Sequence, residues 1–168
     1  MILLFCLFFL GQEIEQPTIA KEKYQNMIDI YEKYSNNIFE KDFRQKIEII
    51  DKKTKEKKSF TTLNQLEQHT FILSFSQQIL IESSKTQHDW IEEIKKFDNP
   101  NYNTSNPNVA KKDDIVKYSK ELFKIRKKLY GQFESYLLKM LKDFDAQITD
   151  SEKKILIRKT KELIVLEN

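Results

Sequence analysis

The chain has few of the residues that break helices or that carry common catalytic chemistry. Its 168 residues include two glycines, three prolines, one cysteine and two histidines. Pro17, Pro100 and Pro107 are the three prolines, so residues 18–99 and 108–168 are free of the strongest helix breaker. We expect long helices in both stretches, and the chain length predicts one domain with one core.

The scarcity of cysteine and glycine excludes several kinds of site. Cys6, the one cysteine, lies in an apolar stretch near the N-terminus, which leaves no disulfide framework or multi-cysteine metal site for the remainder. Two glycines are too few for a phosphate-binding glycine loop, and no Gly-x-Ser-x-Gly nucleophile elbow occurs. Stability must therefore come from packing, and we predict no catalytic residues.

The two histidines do not form a recognisable metal motif. His69 and His88 are 19 residues apart, and no Glu-x-x-His motif of the carboxylate-bridged diiron bundles is present. His88 and Glu92 share a helix face at i and i+4, which would supply only half of a site. A polar rim around Trp90 is the favoured interpretation, and we predict no metal, no cofactor and no enzymatic activity.

Charges of the two signs are nearly balanced. Lys and Arg number 29 and Asp and Glu number 26, which gives a net charge of +3. Lysines cluster at residues 52–58, 117–128 and 153–161, but acidic residues such as Glu121 are interspersed. Solvated helix faces are the favoured interpretation. The alternative is a cytoplasmic helical module that binds nucleic acid or an anionic surface through these lysines.

Residues 2–10 form an uninterrupted apolar run of nine residues. A membrane-spanning helix needs about 20 such residues, whereas the hydrophobic region of a secretory signal is this short. Gly11 is a small residue suited to precede a cleavage site, although no Lys or Arg precedes the run. We predict a leader at residues 1–12 and a helical domain at 13–168, hence export. The alternative is a retained segment that packs into the core or lies on a membrane surface.

The first predicted helix begins after Pro17, with Thr18 as its cap and a break near Ser35. Its apolar stripe has spacings of four and three, which are typical of one helix face. The stripe consists of Ala20, Tyr24, Met27, Tyr31, Tyr34 and Ile38. The spacing predicts that these tyrosines pack against a partner helix and do not form an exposed recognition surface.

Residues 46–63 have two interpretations. The segments 46–51 and 58–63 fit two strands of a β-hairpin around the polar run 52–57. They also fit a helix that continues to about Lys53 and ends in a charged turn. We favour the helix, because an isolated two-stranded hairpin is marginal in water and no third strand is evident.

The second predicted helix begins near Thr62 or Asn64, where Thr62 and Gln65 match a capping box. Leu66, Leu73 and Leu80 repeat every seven residues along it, and the apolar pattern continues to Phe97. Two prolines and many asparagines then predict a long loop at residues 98–113.

The third predicted helix, from about Asp114, has the most regular stripe. Its apolar positions are Ile115, Tyr118, Leu122, Ile125, Leu129, Phe133, Leu137, Met140 and Phe144. Gly131 lies within this helix at a cost of about 1 kcal/mol relative to alanine. Because glycine has no side chain, we expect that another helix can approach closely there. A capping box from Thr149 to Glu152 predicts a final helix.

These patterns predict an all-α fold: an elongated antiparallel bundle, or a long helical hairpin, of three to four helices. A small β-hairpin at residues 46–63 is the open alternative. For function we expect a non-enzymatic, exported protein that acts through its helix faces, either by self-association or by binding a partner protein in a cell-envelope or secreted assembly. Peripheral membrane contact is compatible with this composition, and the balanced charge disfavours nucleic acid.

Overall fold

The computed structural model describes residues 19–50, residues 55–143 and Ser151. In chain order the elements are helix α1 (Lys21–Asn37), helix α2 (Lys41–Arg44), strand β1 (Glu48–Ile50), strand β2 (Lys57–Ser59), a 3₁₀ turn (Phe60–Thr62), helix α3 (Gln65–Lys96) and helix α4 (Lys112–Asp143). Helices dominate, which confirms the predicted all-α fold. The predicted leader, the Thr18 cap, the final helix and the lysines at 153–161 lie outside the described residues.

Helices α3 and α4 form a long antiparallel pair. Each has 32 residues, which corresponds to a length of about 48 Å. Gln87 of α3 contacts Arg126 of α4, and His69, nearer the start of α3, contacts Tyr136, nearer the end of α4. The two helices therefore run in opposite directions. The loop at residues 97–111 joins them, close to the predicted 98–113.

Helix α1 lies beside one end of this pair and runs antiparallel to α3. The ring of Tyr24 is 5.1 Å from that of Trp90 and 5.5 Å from that of Tyr118. Further along, the Tyr31 hydroxyl is 2.9 Å from Thr86 Oγ1. With 17 residues, α1 is shorter than α3 and α4. The three helices therefore form an up-down-up arrangement.

The stripe predicted for α1 is rotated from the one observed. Tyr24, Ile28 and Ser35 are the buried residues of the helix, whereas Tyr34 is 36% exposed. Ile28, which the prediction omitted, lies between Tyr24 and Tyr31 on a line of i, i+4 and i+3 spacing. Residues 27 and 34 thus lie at the margin of the contact face, because α1 packs on two helices at once.

A β-hairpin, and not a continued helix, occupies the segment after α2, so the favoured interpretation of residues 46–63 was wrong. Strands β1 and β2 pair antiparallel, with Ile49 opposite Lys58. The hairpin is stable because it is not isolated: Ile47 and Ile49 pack against the core cluster that contains Phe60 and Leu80. This tertiary burial compensates for the small number of strand hydrogen bonds.

Helix α3 begins at Asn64, one of the two predicted starts, but with a different capping box. Asn64 Oδ1 accepts a hydrogen bond from the Glu67 amide at 2.9 Å, and Glu67 Oε2 accepts one from the Asn64 amide at 2.9 Å. Thr62 belongs to the preceding 3₁₀ turn. Two of the four unpaired amides of the first turn gain partners in this way.

The predicted heptad of leucines on α3 only partly faces the core. Leu80 is fully buried, but Leu66 is 52% exposed. A straight α-helix drifts by about 20° per heptad, so Leu66, two heptads before Leu80, is turned by about 40° from the direction of Leu80. The contact face instead includes the polar residues Ser76, Ser83, Thr86 and Gln87.

Buried serines in α3 satisfy their hydroxyls within the helix. Ser76 Oγ donates to the Ile72 carbonyl at 2.7 Å, and Ser83 Oγ donates to the Ile79 carbonyl at 2.6 Å. A small side chain that forms its own hydrogen bond can be buried without a partner from α4. Polar residues are therefore compatible with this apolar seam.

The core extends as three clusters along the α3–α4 pair. The first surrounds Tyr24, Trp90, Tyr118 and Leu122, next to α1. The second surrounds Ile38, Phe60, Ile72, Leu80 and Leu129, under the hairpin. The third consists of Phe133, Leu137, Met140 and Leu141 near the end of α4. Each fully buried aliphatic side chain contributes about 1.5–3 kcal/mol by leaving water.

The loop at residues 97–111 is anchored at both ends. Tyr102 is buried, its ring lies 4.9 Å from that of Phe97, and its hydroxyl donates to Glu93. Near α4, the Ala110 amide donates to the Ile19 carbonyl at 3.0 Å. Among the described residues, no helix combines the length and apolar character needed to cross a membrane.

Candidate functional site

The outer face of α4 carries a shallow, open apolar groove with a volume of about 500 Å³, which we call the α4 groove. It is lined by Phe39, Lys128, Gly131, Gln132, Ser135, Tyr136 and Lys139. From Lys128 to Lys139 it follows α4 for about 16 Å, or three helical turns. All of the lining residues except Phe39 lie on α4.

Small residues create the groove. Gly131 has no side chain, and among the described residues no atom beyond its chain neighbours and its own helix backbone would lie within 4 Å of a Cβ added there. Ser135, one turn later, is exposed and small. The close helix approach predicted at Gly131 is therefore not made within the described fold, and the space that the glycine leaves is open.

Two aromatic rings form one wall of the α4 groove. Phe39 follows α1, and its ring lies 5.4 Å from that of Tyr136. Tyr136 is held in turn by His69, whose Nδ1 lies 2.6 Å from the tyrosine hydroxyl. Burial raises the pKa of Tyr136 although the nearby Arg44 opposes the effect. Because Tyr136 stays protonated at neutral pH, it is suited to packing and hydrogen bonding.

Lysines flank the α4 groove and continue along the helix. We call seven exposed residues the lysine ridge: Lys117, Lys120, Lys124, Lys127, Lys128, Lys139 and Lys142. Within the part of the chain that the structure describes, Lys117 is the only one of them in an ion pair, with Glu121 at 4.0 Å. Lys128 donates a hydrogen bond to Asn36 at 2.8 Å. The outer face of α4 is thus strongly positive.

A second cleft, of about 320 Å³, lies between α1 and α3. Its walls include Tyr24, Trp90, Asp89 and Glu93. Glu93 already accepts a hydrogen bond from Tyr102 and forms an ion pair with Lys96 at 3.1 Å. The Tyr102 contact holds the loop at residues 97–111 against α3, and the Lys96 ion pair lies within α3, which indicates a structural role for the carboxylate.

Tyr24 at the base of this second cleft is buried, and its hydroxyl has no hydrogen-bond partner within the described residues. Burial, with a smaller effect of the Glu93 charge, raises its pKa to about 12. The hydroxyl is therefore neutral at physiological pH and is not suited to act as a base.

The histidines considered as metal ligands lie apart. His69 contacts Tyr136 at the α4 groove, whereas His88 is exposed on α3 near Glu92. A hydrogen bond from Lys95 lowers the pKa of Glu92, and the charge of His88 adds a smaller effect. Across residues 19–50 and 55–143, no three His, Cys, Asp or Glu side chains are grouped so as to hold a metal ion.

Sequence reasoning missed a buried hydrogen bond from a charged side chain in the α3–α4 seam. Arg126 is 1% exposed, and its Nη1 donates to Gln87 Oε1 at 2.9 Å. Burial lowers the pKa of Arg126 to about 10, so the side chain remains charged at neutral pH. Arg126 was grouped with the predicted surface lysines 117–128, but its position four residues after Leu122 and three before Leu129 places it on the apolar face of α4.

Comparison of the chain with protein-family models, with curated proteins and with solved structures finds no match.

Proposed function

We propose that this chain is an exported, non-enzymatic helical protein that binds another protein through the outer face of α4, as a component of a cell-envelope or secreted assembly. The α4 groove is the observation that carries the proposal. It joins an apolar floor to a charged margin, as protein interfaces do. Rings of Phe39 and Tyr136 supply the kind of aromatic surface that anchors partners.

The support beneath the α4 groove favours binding without rearrangement. Phe133 and Leu137, on the opposite side of the same turns of α4, are buried in the third core cluster. His69 fixes the Tyr136 ring from α3. A groove held by a packed helix presents a preformed surface, which reduces the entropy cost of association.

We propose that the protein is not an enzyme because the residues with the most strongly shifted pKa values in the described part of the chain lie between packed helices. Tyr24 and Arg126 have the largest shifts, and both are in packed seams between helices. Structural burial explains the two shifts without a reaction. Neither group lines the α4 groove.

Site-specific photocrosslinking in the native cell tests the proposal. We expect a photoreactive residue at Ser135, in the α4 groove, to form an adduct with another protein. The same residue at Ser74, an exposed serine of α3, is the matched control and should form little adduct. Combining the Ser135 probe with Gly131→Trp should abolish the adduct, because the indole fills the groove. Equal adducts from Ser135 and Ser74 would contradict a specific site on α4.

Export is tested separately. The apolar run at residues 2–10 supports it, as in a secretory signal. We expect N-terminal sequencing of the protein from its native cell to give a chain that begins near Gln12. An intact Met1 would contradict cleavage and would favour the cytoplasmic alternative.

The lysine ridge supports a second candidate function, which is binding of nucleic acid or another anionic surface. Its side chains are exposed and carry few ion pairs within the described residues. Such binding depends steeply on salt and does not require the α4 groove. Retention on RNA or on anionic vesicles at physiological salt, unaffected by Gly131→Trp, would favour this candidate over protein binding.

A further inference from the structure

We propose that the segment bound in the α4 groove is an acidic amphipathic helix of a different protein, whose apolar ridge lies along Gly131 and Ser135 and whose carboxylates pair with Lys128 and Lys139. This inference rests on the proposed function and specifies the chemistry of the partner. Charge and shape of the groove carry it.

The shape of the α4 groove fits a helix. It runs along α4 for about three turns, and its floor has a small residue at 131 and another at 135, one turn apart. Small residues at i and i+4 let a second helix approach closely and run roughly along the first. Leu138, seven residues after Gly131 and hence on the same side of α4, is 49% exposed and extends the apolar surface.

The charges at the margin select an acidic partner. Lys128 and Lys139 line the two ends of the groove. Neither lysine forms an ion pair within residues 19–50 and 55–143. The Lys128 ammonium donates one hydrogen bond to Asn36, which leaves two N–H groups for a carboxylate. Lys124 and Lys142 lie one turn outside the two rim lysines and extend the positive margin.

The same charges disfavour a second copy of this chain. In a twofold-symmetric dimer, one patch packs against its own copy. Placing the α4 groove at such an interface would oppose two lysine ridges, and like charges in an interface are repulsive. A heterologous acidic segment gains attraction where a second copy incurs repulsion, so it is the occupant that the electrostatics favour.

A peptide-binding measurement with the full chain tests this inference. The probe is a synthetic helical peptide of about 15 residues, the length at which alanine-rich helices become stable in water. It has leucines at i, i+4 and i+7 on one face and glutamates on both flanks. A matched peptide replaces each glutamate with glutamine. We expect the glutamate peptide to bind at least about tenfold more tightly, with the difference shrinking as salt is raised.

Charge reversal on the protein identifies the contact. Replacing both rim lysines (Lys128→Glu with Lys139→Glu) should weaken the glutamate peptide about tenfold and should improve binding of a peptide with lysine flanks. The control is Lys117→Glu with Lys120→Glu, which changes the net charge equally but lies outside the groove and its margin. We expect a loss of about twofold or less for the control, because solvent and salt screen charges at that distance.

Several results would overturn the inference. Equal binding of the glutamate and glutamine peptides would remove the acidic requirement, and equal losses in the two charge-reversal variants would indicate nonspecific attraction. Self-association in sedimentation that Gly131→Trp abolishes would identify a second copy as the occupant. Displacement of the peptide by anionic phosphatidylglycerol vesicles, but not by neutral ones, would identify a membrane. A Ser135 adduct with no peptide binding would leave the proposed function standing and reject only the acidic helix.

Discussion

Helices α3 and α4 have the same length and pack against each other, yet they differ on both faces. The inner face of α3 is the more polar of the two, and the outer face of α4 is the more positively charged. The inner face of α3 includes Ser76, Ser83 and Gln87, whereas that of α4 is a nearly continuous apolar line. On the outside the contrast is electrostatic. Helix α3 has five acidic residues and three lysines, whereas α4 has five acidic residues and eight lysines besides the buried Arg126.

This difference follows from the positions of the two helices in the fold. Helix α4 contacts both α1 and α3 and therefore needs a broad apolar face, which Leu122 and Leu129 help to form. The outer surface of α4 lies outside the seams with these helices, so it does not require buried apolar residues, and it carries the lysine ridge and the α4 groove. Substitutions on its two sides should have separable consequences.

The largest effects are expected from truncating the buried leucines of the seam. Leu80→Ala in α3 and Leu122→Ala in α4 should each lower the free energy of unfolding by about 2–5 kcal/mol, because both side chains are fully buried. Leu66→Ala and Leu138→Ala, on exposed positions of the same helices, are matched controls and should cost less than about 1 kcal/mol. Urea unfolding measures all four. Similar costs for Leu66 and Leu80 would restore the heptad interpretation of α3.

A smaller loss is expected from separating the buried Arg126 from Gln87. In Gln87→Leu, the guanidinium loses its acceptor on α3, which should cost about 2–3 kcal/mol. Adding Arg126→Leu should restore part of this loss, because the apolar pair removes the buried charge as well. A double-mutant cycle by urea unfolding measures the coupling. Strict additivity of the two substitutions would mean that the contact does not stabilise the seam.

Two tyrosines of α1 should respond with opposite signs to loss of the hydroxyl. Tyr31→Phe removes a 2.9 Å hydrogen bond to the buried Thr86 and should cost about 1–2 kcal/mol. Tyr24→Phe removes a buried hydroxyl that lacks a partner in the described residues, so it should be neutral or stabilising by up to about 1 kcal/mol. Thermal and urea unfolding decide the signs. A loss for Tyr24→Phe equal to that for Tyr31→Phe would indicate that the Tyr24 hydroxyl is bonded.

Alkaline titration extends the comparison of the tyrosines. The folded pKa of Tyr24, about 12, is higher than its ordinary value of 10.0. The folded protein then binds the proton more tightly than the unfolded chain, so this contribution to stability is present below pH 10 and is lost as pH rises toward 12. We expect Tyr24→Phe to flatten the alkaline limb of the stability profile.

The smallest effect is expected at the start of α4. Burial alone would raise the pKa of Asp114, but hydrogen bonds from the Lys111 amide and from Lys21 lower it overall. Because the folded pKa is lowered, the contribution is present above the unfolded pKa and is lost as pH falls through the folded value. Asp114→Asn should cost about 0.5–1 kcal/mol at neutral pH and flatten the acid limb. Asp113→Asn, at an exposed neighbour that does not bond to Lys21, is the matched control, and an equal loss of stability at neutral pH in this variant would contradict the role assigned to Asp114.

The fold was predictable where one helix contacts its neighbours through a continuous apolar line. The stripe of α4 from Ile115 to Met140 is of this kind apart from the buried Ser119 and Arg126, and its bounds follow from the pattern. The seam of α3 was not predictable, because it includes polar side chains. Ser76 and Ser83 can be buried there since their hydroxyls donate to backbone carbonyls of the same helix. The hairpin depends on contacts of the partly buried Ile49 with a core cluster built from distant parts of the chain, so the local sequence could offer it only as an alternative to a helix.

The candidate site was predictable only in part. Gly131 stands out in the sequence as a lone glycine on a long helix, and an expectation of close helix approach follows from it. The aromatic wall of the α4 groove could not be predicted from the sequence. Phe39 lies 92 residues before Gly131 and reaches α4 only through the packing of the turn after α1. The lysines were visible, but their arrangement beside an apolar groove required the structure.

The most direct measurement compares stability with partner binding in one variant, Gly131→Trp. No described atom beyond the chain neighbours and the helix backbone lies within 4 Å of a Cβ at this position, and tryptophan is a better helix former than glycine, so the free energy of unfolding should not fall. We expect the yield of the Ser135 photoadduct to drop at least about tenfold in the same protein, as for a blocked hot spot. An unchanged adduct yield, or a loss of several kcal/mol in stability with no change in binding, would contradict a docking role for the outer face of α4.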